Sequence, residues 1–311
     1  MSDSKTNDSS PSQPESSGFV SGLFLAAVGT LLFALKSIFI KLAFDLGASP
    51  TLLLTLRMLL ALPFYAFVLW RLWPIEVDGK PMDRGLLIRA LGLGFLGYYL
   101  ASYLDLCGLA YVSAQMERLT LFVYPAIIAI LAAMFLGERL TVRIVVAIAL
   151  CWSGVFVMYW REREWITGSN VGLGVALVAG AALSYSFYVL FAKPTMLKMG
   201  SRQFTSLAMI GSTVFVMIHF SLTRNPSELI QAPAGVYLIG LVLAFVCTVI
   251  PSFMISEAIV RIGATRTSVI GSVGPVLTMI LAIFVLGEPS SVQHFAGMAM
   301  AAIGVSLVAK K

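Results

Sequence analysis

Charge is what this 311-residue chain has least of. Asp, Glu, Lys and Arg make up 12% of it, against about 25% in ordinary soluble domains. Hydrophobic residues make up 59%, against about 45–50%. So little charge cannot coat a globule of this size, which excludes a water-soluble enzyme, a disordered chain and a collagen-like one. Cysteine is scarce too. Cys107, Cys151 and Cys247 lie in or beside apolar segments without CxxC or metal-ligand spacing, so they read as small core residues rather than a disulfide framework. The two histidines, His219 and His294, stand apart and have no HExxH spacing. There is no GxxxxGK[ST] phosphate loop and no GxSxG elbow, and no cofactor or metal is expected. The excess of 21 Lys and Arg over 15 Asp and Glu invites a nucleic-acid reading. We set it aside because the basic residues sit in short gaps between apolar runs.

Those runs dominate the chain. Residues 1–18 hold seven Ser, two Pro and no large apolar side chain, so a disordered tail is expected there, and not a signal peptide, since no basic start or cleavage site surrounds an h-region. Beyond it, a bilayer-spanning helix needs about 20 apolar residues. Ten spans fit, at 19–44, 50–70, 85–107, 110–136, 141–160, 171–193, 203–222, 235–258, 264–287 and 291–309. Fourteen Lys and Arg fall on the side of the N-terminus, three on the other side, and Lys36, Lys41, Arg57 and Arg118 within spans. The positive-inside rule then puts both termini in the cytoplasm.

The chain also repeats itself at a spacing of 150 residues. Pro125 matches Pro275, Leu136-Gly137-Glu138 matches Leu286-Gly287-Glu288, and Gly154-Val155 matches Gly304-Val305. Gly22-Leu23 matches Gly172-Leu173, and Leu91, Leu93 and Phe95 match Leu241, Leu243 and Phe245. Each unit, 19–160 and 171–309, contains five spans. Five is odd, so the second unit enters from the opposite face and the two are inverted, a signature of secondary transporters. The expected fold is an all-α membrane protein of ten transmembrane helices in two inverted five-helix repeats.

With Pro125 followed by Leu136-Gly137-Glu138, and the same pattern again at Pro275 and Leu286-Gly287-Glu288, the chain resembles the drug/metabolite transporter superfamily, in its EamA-type branch. The resemblance runs from about residue 20 to 309, with one departure, Pro289 where the first repeat has Arg139. It implies a central cavity lined mainly by the first, third, fourth, sixth, eighth and ninth helices. It also implies a plasma (inner) membrane location and a small polar metabolite as cargo, with amino acids or related carboxylates and export favoured.

Charges inside a span are costly and functional by default. Lys36, Lys41, Arg57, Asp105, Glu117 and Arg118 all belong to the first repeat, where the second has Ser186, Phe191, Leu207, Ile255, Thr267 and Ser268. One reading pairs Glu117 and Asp105 with Lys36 and Arg57, while Lys41 and Arg118 snorkel to the headgroups. The other gives Lys36, Arg57 or Arg118 an anionic group of the substrate and gives Glu117, with Asp105, a proton to exchange. Tyr99, Tyr103 and Tyr185 are candidate ligand contacts. Pro125 and Pro275 each free a carbonyl in mid-span and are candidate hinges. Glu257 and Arg261 are spaced for a helix-end ion pair. Gly92-Leu-Gly-Phe-Leu-Gly97 matches GxGxxG but lies in an apolar span, so its glycines are expected to serve close helix packing.

The expected function is alternating-access transport of a small molecule through the lipid bilayer, with no nucleic-acid partner and a homodimer left open. An intramembrane enzyme acting on a lipid-linked substrate, and a sensor or scaffold without transport, are the alternatives.

Overall fold

The computed structural model describes residues 14–74, 76–77, 80–166, 168–271 and 273–309. It is helical nearly throughout. The first crossing, α1, is built from Pro14–Ala34 and Lys36–Asp45. It is followed by α2 (Pro50–Arg71), α3 (Arg84–Leu109), α4 (Ala114–Leu136) and α5 (Val142–Trp165). The second half holds α6 (Val171–Met199), α7 (Ser201–Thr223), α8 (Ala234–Ile262), α9 (Ala264–Leu286) and α10 (Val292–Ala309). Nine of these helices are long and apolar enough to cross a bilayer among the described residues, and α10 is a shorter apolar helix. The ten-helix expectation therefore holds. The 71–84 connection carries a small antiparallel ladder, Glu76–Val77 with Lys80–Pro81. Residues 1–13 of the expected tail lie outside the described residues, and the helix already begins at Pro14. Proline at a helix start forfeits no hydrogen bond, so the apolar run extends backwards into the polar segment.

Side chains fix several of the starts. Ser49 Oγ accepts from Leu52 N–H at 3.3 Å ahead of Pro50, and Thr141 and Asn170 cap α5 and α6 in the same way. The repeated Leu-Gly-Glu motif is a helix stop. Gly137 and Gly287 take left-handed φ angles of 70° and 65°, a region that favours glycine. The next N–H turns back on the helix, Glu138 to Ala132 O at 3.3 Å and Glu288 to Ala282 O at 3.1 Å. One stereochemical device thus projects a glutamate off the end of α4 and another off the end of α9.

Packing follows the inverted symmetry. α1 lies against α8 as α6 lies against α3, and α5 pairs with α10. At the α5–α10 seam a Cβ on Gly154 would fall 2.5 Å from Gly297 O, and one on Gly304 2.7 Å from Ala147 O. Matching glycines at 154 and 304 thus let two backbones touch across this seam. In the GxGxxG stretch, a Cβ on Gly94 would meet Ala208 O at 2.6 Å and one on Gly97 would strike the Tyr188 ring, whereas Gly92 faces open space. Two of its three glycines serve helix packing.

Five interruptions shape the centre, four of them in matched pairs. α3 and α8 pass through π-helical turns at Phe95–Leu100 and Phe245–Val249, positions related by the repeat. α4 and α9 break between Ala114–Leu121 and Tyr124–Leu136, and between Ala264–Ile270 and Val273–Leu286. Each break falls just before the matched proline, Pro125 or Pro275, whose missing N–H cannot continue the ladder. The kink at Leu35 of α1 has no counterpart in α6, which is continuous.

Candidate functional site

The interruptions surround a central cavity of about 140 Å³. α1, α3, α4, α6, α8 and α9 line it, as the resemblance implies, and α2 and α7 add Arg57, Met58 and Met209. Among the described residues, α5 and α10 contribute nothing to the wall. Irregular backbone at membrane depth is tolerated where it borders such a cavity.

One part of the wall is ionic. Lys36 Nζ lies 2.5 Å from Asp105 Oδ2, and both groups are buried. Ser37 Oγ donates to Glu117 Oε2 at 2.6 Å and accepts from Arg118 Nη2 at 2.5 Å. Arg118 Nε is 3.7 Å from Glu117 Oε2, and its Nη2 also donates to Phe33 O at 3.2 Å. The kink in α1 exposes that carbonyl and the next one; Thr278 Oγ1 serves Ala34 O at 2.9 Å. Buried backbone groups freed by a kink need such partners. Asp105 and Glu117 lie close enough to interact electrostatically, and Asp105 Oδ1 and Glu117 Oε1 have no hydrogen-bond partner. Arg57 shares the cavity wall and is 3% exposed. It has no ion-pair partner among the described residues, and its Nε makes no hydrogen bond.

The two electrostatic expectations are thus divided. Lys36 and Asp105 form the buried pair. Arg57 is not paired with Glu117, and Arg118 does not snorkel but turns inward onto Ser37 and the cavity. Glu117 is fully buried behind the wall rather than on it. Lys41 is half-buried near Asp45, Glu162 and Glu288. Glu257 and Arg261 make the expected helix-end pair at 2.8 Å.

Tyr185 lines the cavity, edge-on to Tyr124 with ring centroids 5.5 Å apart. Tyr99 and Tyr103 do not line it. Tyr99 Oη bonds His219 Nδ1 at 2.9 Å, and the Tyr103 ring lies 4.5 Å from the His219 ring. The reason is helical phase. Positions 99 and 103 share one stripe of α3, whereas Tyr98, Ala101, Ser102 and Asp105 share the stripe facing the cavity. Tyr98 Oη reaches Tyr188 Oη at 2.6 Å and replaces Tyr99 as the α3 tyrosine of the wall.

A second cluster joins Glu288, whose place at a helix end marks it as an interfacial anchor, to Glu162, which the sequence did not single out. α5 runs to Trp165, so Glu162 is inside a helix and fully buried. Its Oε1 accepts from Ser113 N–H at 2.5 Å and its Oε2 from Ser113 Oγ at 2.8 Å. Beside it, Glu288 Oε1 accepts from Ala114 N–H at 2.7 Å and Oε2 from Gln115 N–H at 3.3 Å. The signal was available: Cys151, Val155, Met158 and Glu162 recur on one buried face of α5.

Two stretches, residues 20–160 and 172–310, match the model of the EamA-like transporter family. An uncharacterized transporter of Bacillus subtilis, YcbK, is 28% identical over 270 residues, 86% of each chain. An uncharacterized transporter of Archaeoglobus fulgidus is 24% identical over 264 residues, covering 85% of this chain and 90% of that one. A crystal structure of a protein 14% identical in sequence superposes with a TM-score of 0.65 over 94% of this chain and 98% of its own, a likeness of fold. Two family matches in one chain, on a ten-helix body closed around a central cavity, make this protein a multi-pass membrane member of the EamA-like transporter family.

Proposed function

We propose that the chain is a secondary transporter that carries a small carboxylate-bearing metabolite, with amino acids favoured, across the plasma (inner) membrane by alternating access. Arg57 carries this reading. A guanidinium buried to 3% exposure is costly unless an anion meets it for at least part of the cycle. The other two cations of the wall already have an anion within ion-pair distance, Lys36 in Asp105 and Arg118 in Glu117, and Asp105, the carboxylate whose charge Arg57 feels, is already paired with Lys36. Arg57 therefore takes the cargo's carboxylate, in the bidentate geometry guanidinium favours, and Tyr98 and Tyr185 flank its body. The unserved oxygens of Asp105 and Glu117 give a proton a place between them, which is how a proton gradient couples to the cycle. In this reading the direction is export, both termini lie in the cytoplasm, and Pro125 and Pro275 mark the hinges.

The test is saturable flux in proteoliposomes across a panel of amino acids and their des-amino carboxylates. Arg57→Gln is expected to weaken carboxylate binding on the order of 10- to 100-fold, the value of a lost charge-assisted bond. Glu117→Gln is expected to remove the pH dependence of flux while the protein remains folded. Undiminished carboxylate flux in Arg57→Gln would overturn the cargo assignment.

A further inference from the structure

The two Leu-Gly-Glu glutamates occupy equivalent places in the inverted repeats but do different things. Glu288 bonds the N–H groups of Ala114 and Gln115, and Gln115 Nε2 returns a bond to Pro289 O at 3.3 Å. The segment it grips is sealed: Ser113 is 3% exposed, and Ala114, Gln115 and Met116 are 0% exposed. Shifted by 150 residues, the same arrangement places Glu138 against Ala264 and Thr265. That contact is open. Glu138 is exposed, Thr265 and Arg266 are exposed, and Gly263 and Ala264 are half-buried. The cavity wall extends to Ala264 and does not reach Ala114. One helix start is buried and bonded by its glutamate, and among the described residues its symmetry counterpart is more exposed and has no such bond to Glu138.

We infer that Glu288 and Glu138 are alternating latches of the two faces, and that the cycle releases Glu288 from Ala114–Gln115 as Glu138 takes hold of Ala264–Thr265. The inference rests on the alternating-access reading above. Its physics is simple: the same glycine-terminated helix end delivers a carboxylate to each face, and the bundle closes one face at a time. A two-state body whose halves exchange shapes places each latch in the other's present position when it inverts.

Two added-cysteine reporters at symmetry-related positions, Ala114→Cys and Ala264→Cys, read the two faces of the purified full-length protein, with the native Cys107, Cys151 and Cys247 scored separately. Maleimide labelling is scored at each residue by peptide mass spectrometry. Glu288→Gln is expected to raise labelling at position 114 on the order of tenfold and to lower it at 264, the population shift that a weakened pair of charge-assisted bonds produces. Adding Glu138→Gln returns both rates toward the unaltered pattern. A rise at 114 with no fall at 264 would reduce Glu288 to a passive helix cap and overturn the inference, as would a double variant that labels like Glu288→Gln alone. If Glu288→Gln fails to fold, Arg139→Cys combined with Thr265→Cys, which leaves Glu138 in place and sits at the counterparts of the Pro289–Gln115 contact, takes its place. A short bifunctional maleimide should join these two cysteines, and no cross-link under any condition that permits flux would defeat the latch. Reciprocal labelling without carboxylate flux would retire the cargo reading alone, whereas flux without reciprocal labelling would retire the latch alone.

Discussion

The two repeats share a fold and divide the chemistry. The first carries the buried Lys36–Asp105 pair and, beside it, Glu117 and Arg118 around Ser37, and adds Arg57; the second has Ser186, Ile255, Thr267, Ser268 and Leu207 at those positions. The backbone devices are shared: π turns at Phe95 and Phe245, breaks before Pro125 and Pro275, and glycine stops at 137 and 287. The backbone architecture is common to both halves, and the buried charges of the cavity region sit in one half. Such a division suits a carrier. The cargo needs one binding site, whereas an exchange of shapes needs two matched halves.

The sharpest way to break that comparison is to remove one member of the ionic network. Lys36→Met strands the Asp105 carboxylate and is expected to cost about 3–5 kcal/mol of stability, the usual result of halving a buried pair. Lys36→Met combined with Asp105→Leu should recover most of that loss. The equivalent position in the second repeat tells the contrast. Ser186 Oγ donates to Ala182 O at 2.6 Å within its own helix, so Ser186→Ala is expected to cost only about 1 kcal/mol. Chemical unfolding of the purified protein measures all three. Similar losses for Lys36→Met and Ser186→Ala would show that the network contributes no more than a neutral hydroxyl.

The paired glutamates give the next effect. Glu288→Ala leaves the N–H groups of Ala114 and Gln115 without their acceptor and should cost about 1–3 kcal/mol. Glu138 is exposed, so Glu138→Ala should stay within about 0.5 kcal/mol. Equal losses would mean that the two ends are gripped alike and that the asymmetry between the faces is not one of stability.

How much of this was legible differs from element to element. The spans, their number and the repeat follow from hydropathy and spacing, because the bilayer imposes helices and a minimum length on the chain. The ionic residues could be listed, since a charge in an apolar run stands out. Their partners could not, because pairing depends on helix rotation and on the kink at Leu35, which no proline or glycine announces. The choice of Tyr99 and Tyr103 over Tyr98 was an error of phase. Asp105 was the residue that could have set it, since 98, 101, 102 and 105 fall on one side of α3. Glu162 was lost because the arginines beside it suggested that the span had ended, although its spacing from Cys151, Val155 and Met158 continues the buried face.

The smallest effect separates three glycines that look alike in sequence. In the second repeat, Gly92, Gly94 and Gly97 become Val242, Ala244 and Cys247, so that half accepts side chains where the first has none. The neighbours explain the difference. Ala208 O stands 2.6 Å from a Cβ on Gly94, and the Tyr188 ring blocks one on Gly97, while nothing lies within 4 Å of one on Gly92. Gly94→Ala and Gly97→Ala should therefore each lose about 1–3 kcal/mol through overpacking. Gly92→Ala should gain about 0.5–1 kcal/mol, because alanine gives up less backbone entropy in a helix. Thermal unfolding of the three variants side by side decides the matter. A loss at Gly92 equal to the other two would mean that α3 needs glycine for its own flexibility through the π turn, and that the difference between the repeats at these positions lies in helix dynamics rather than in what each helix packs against.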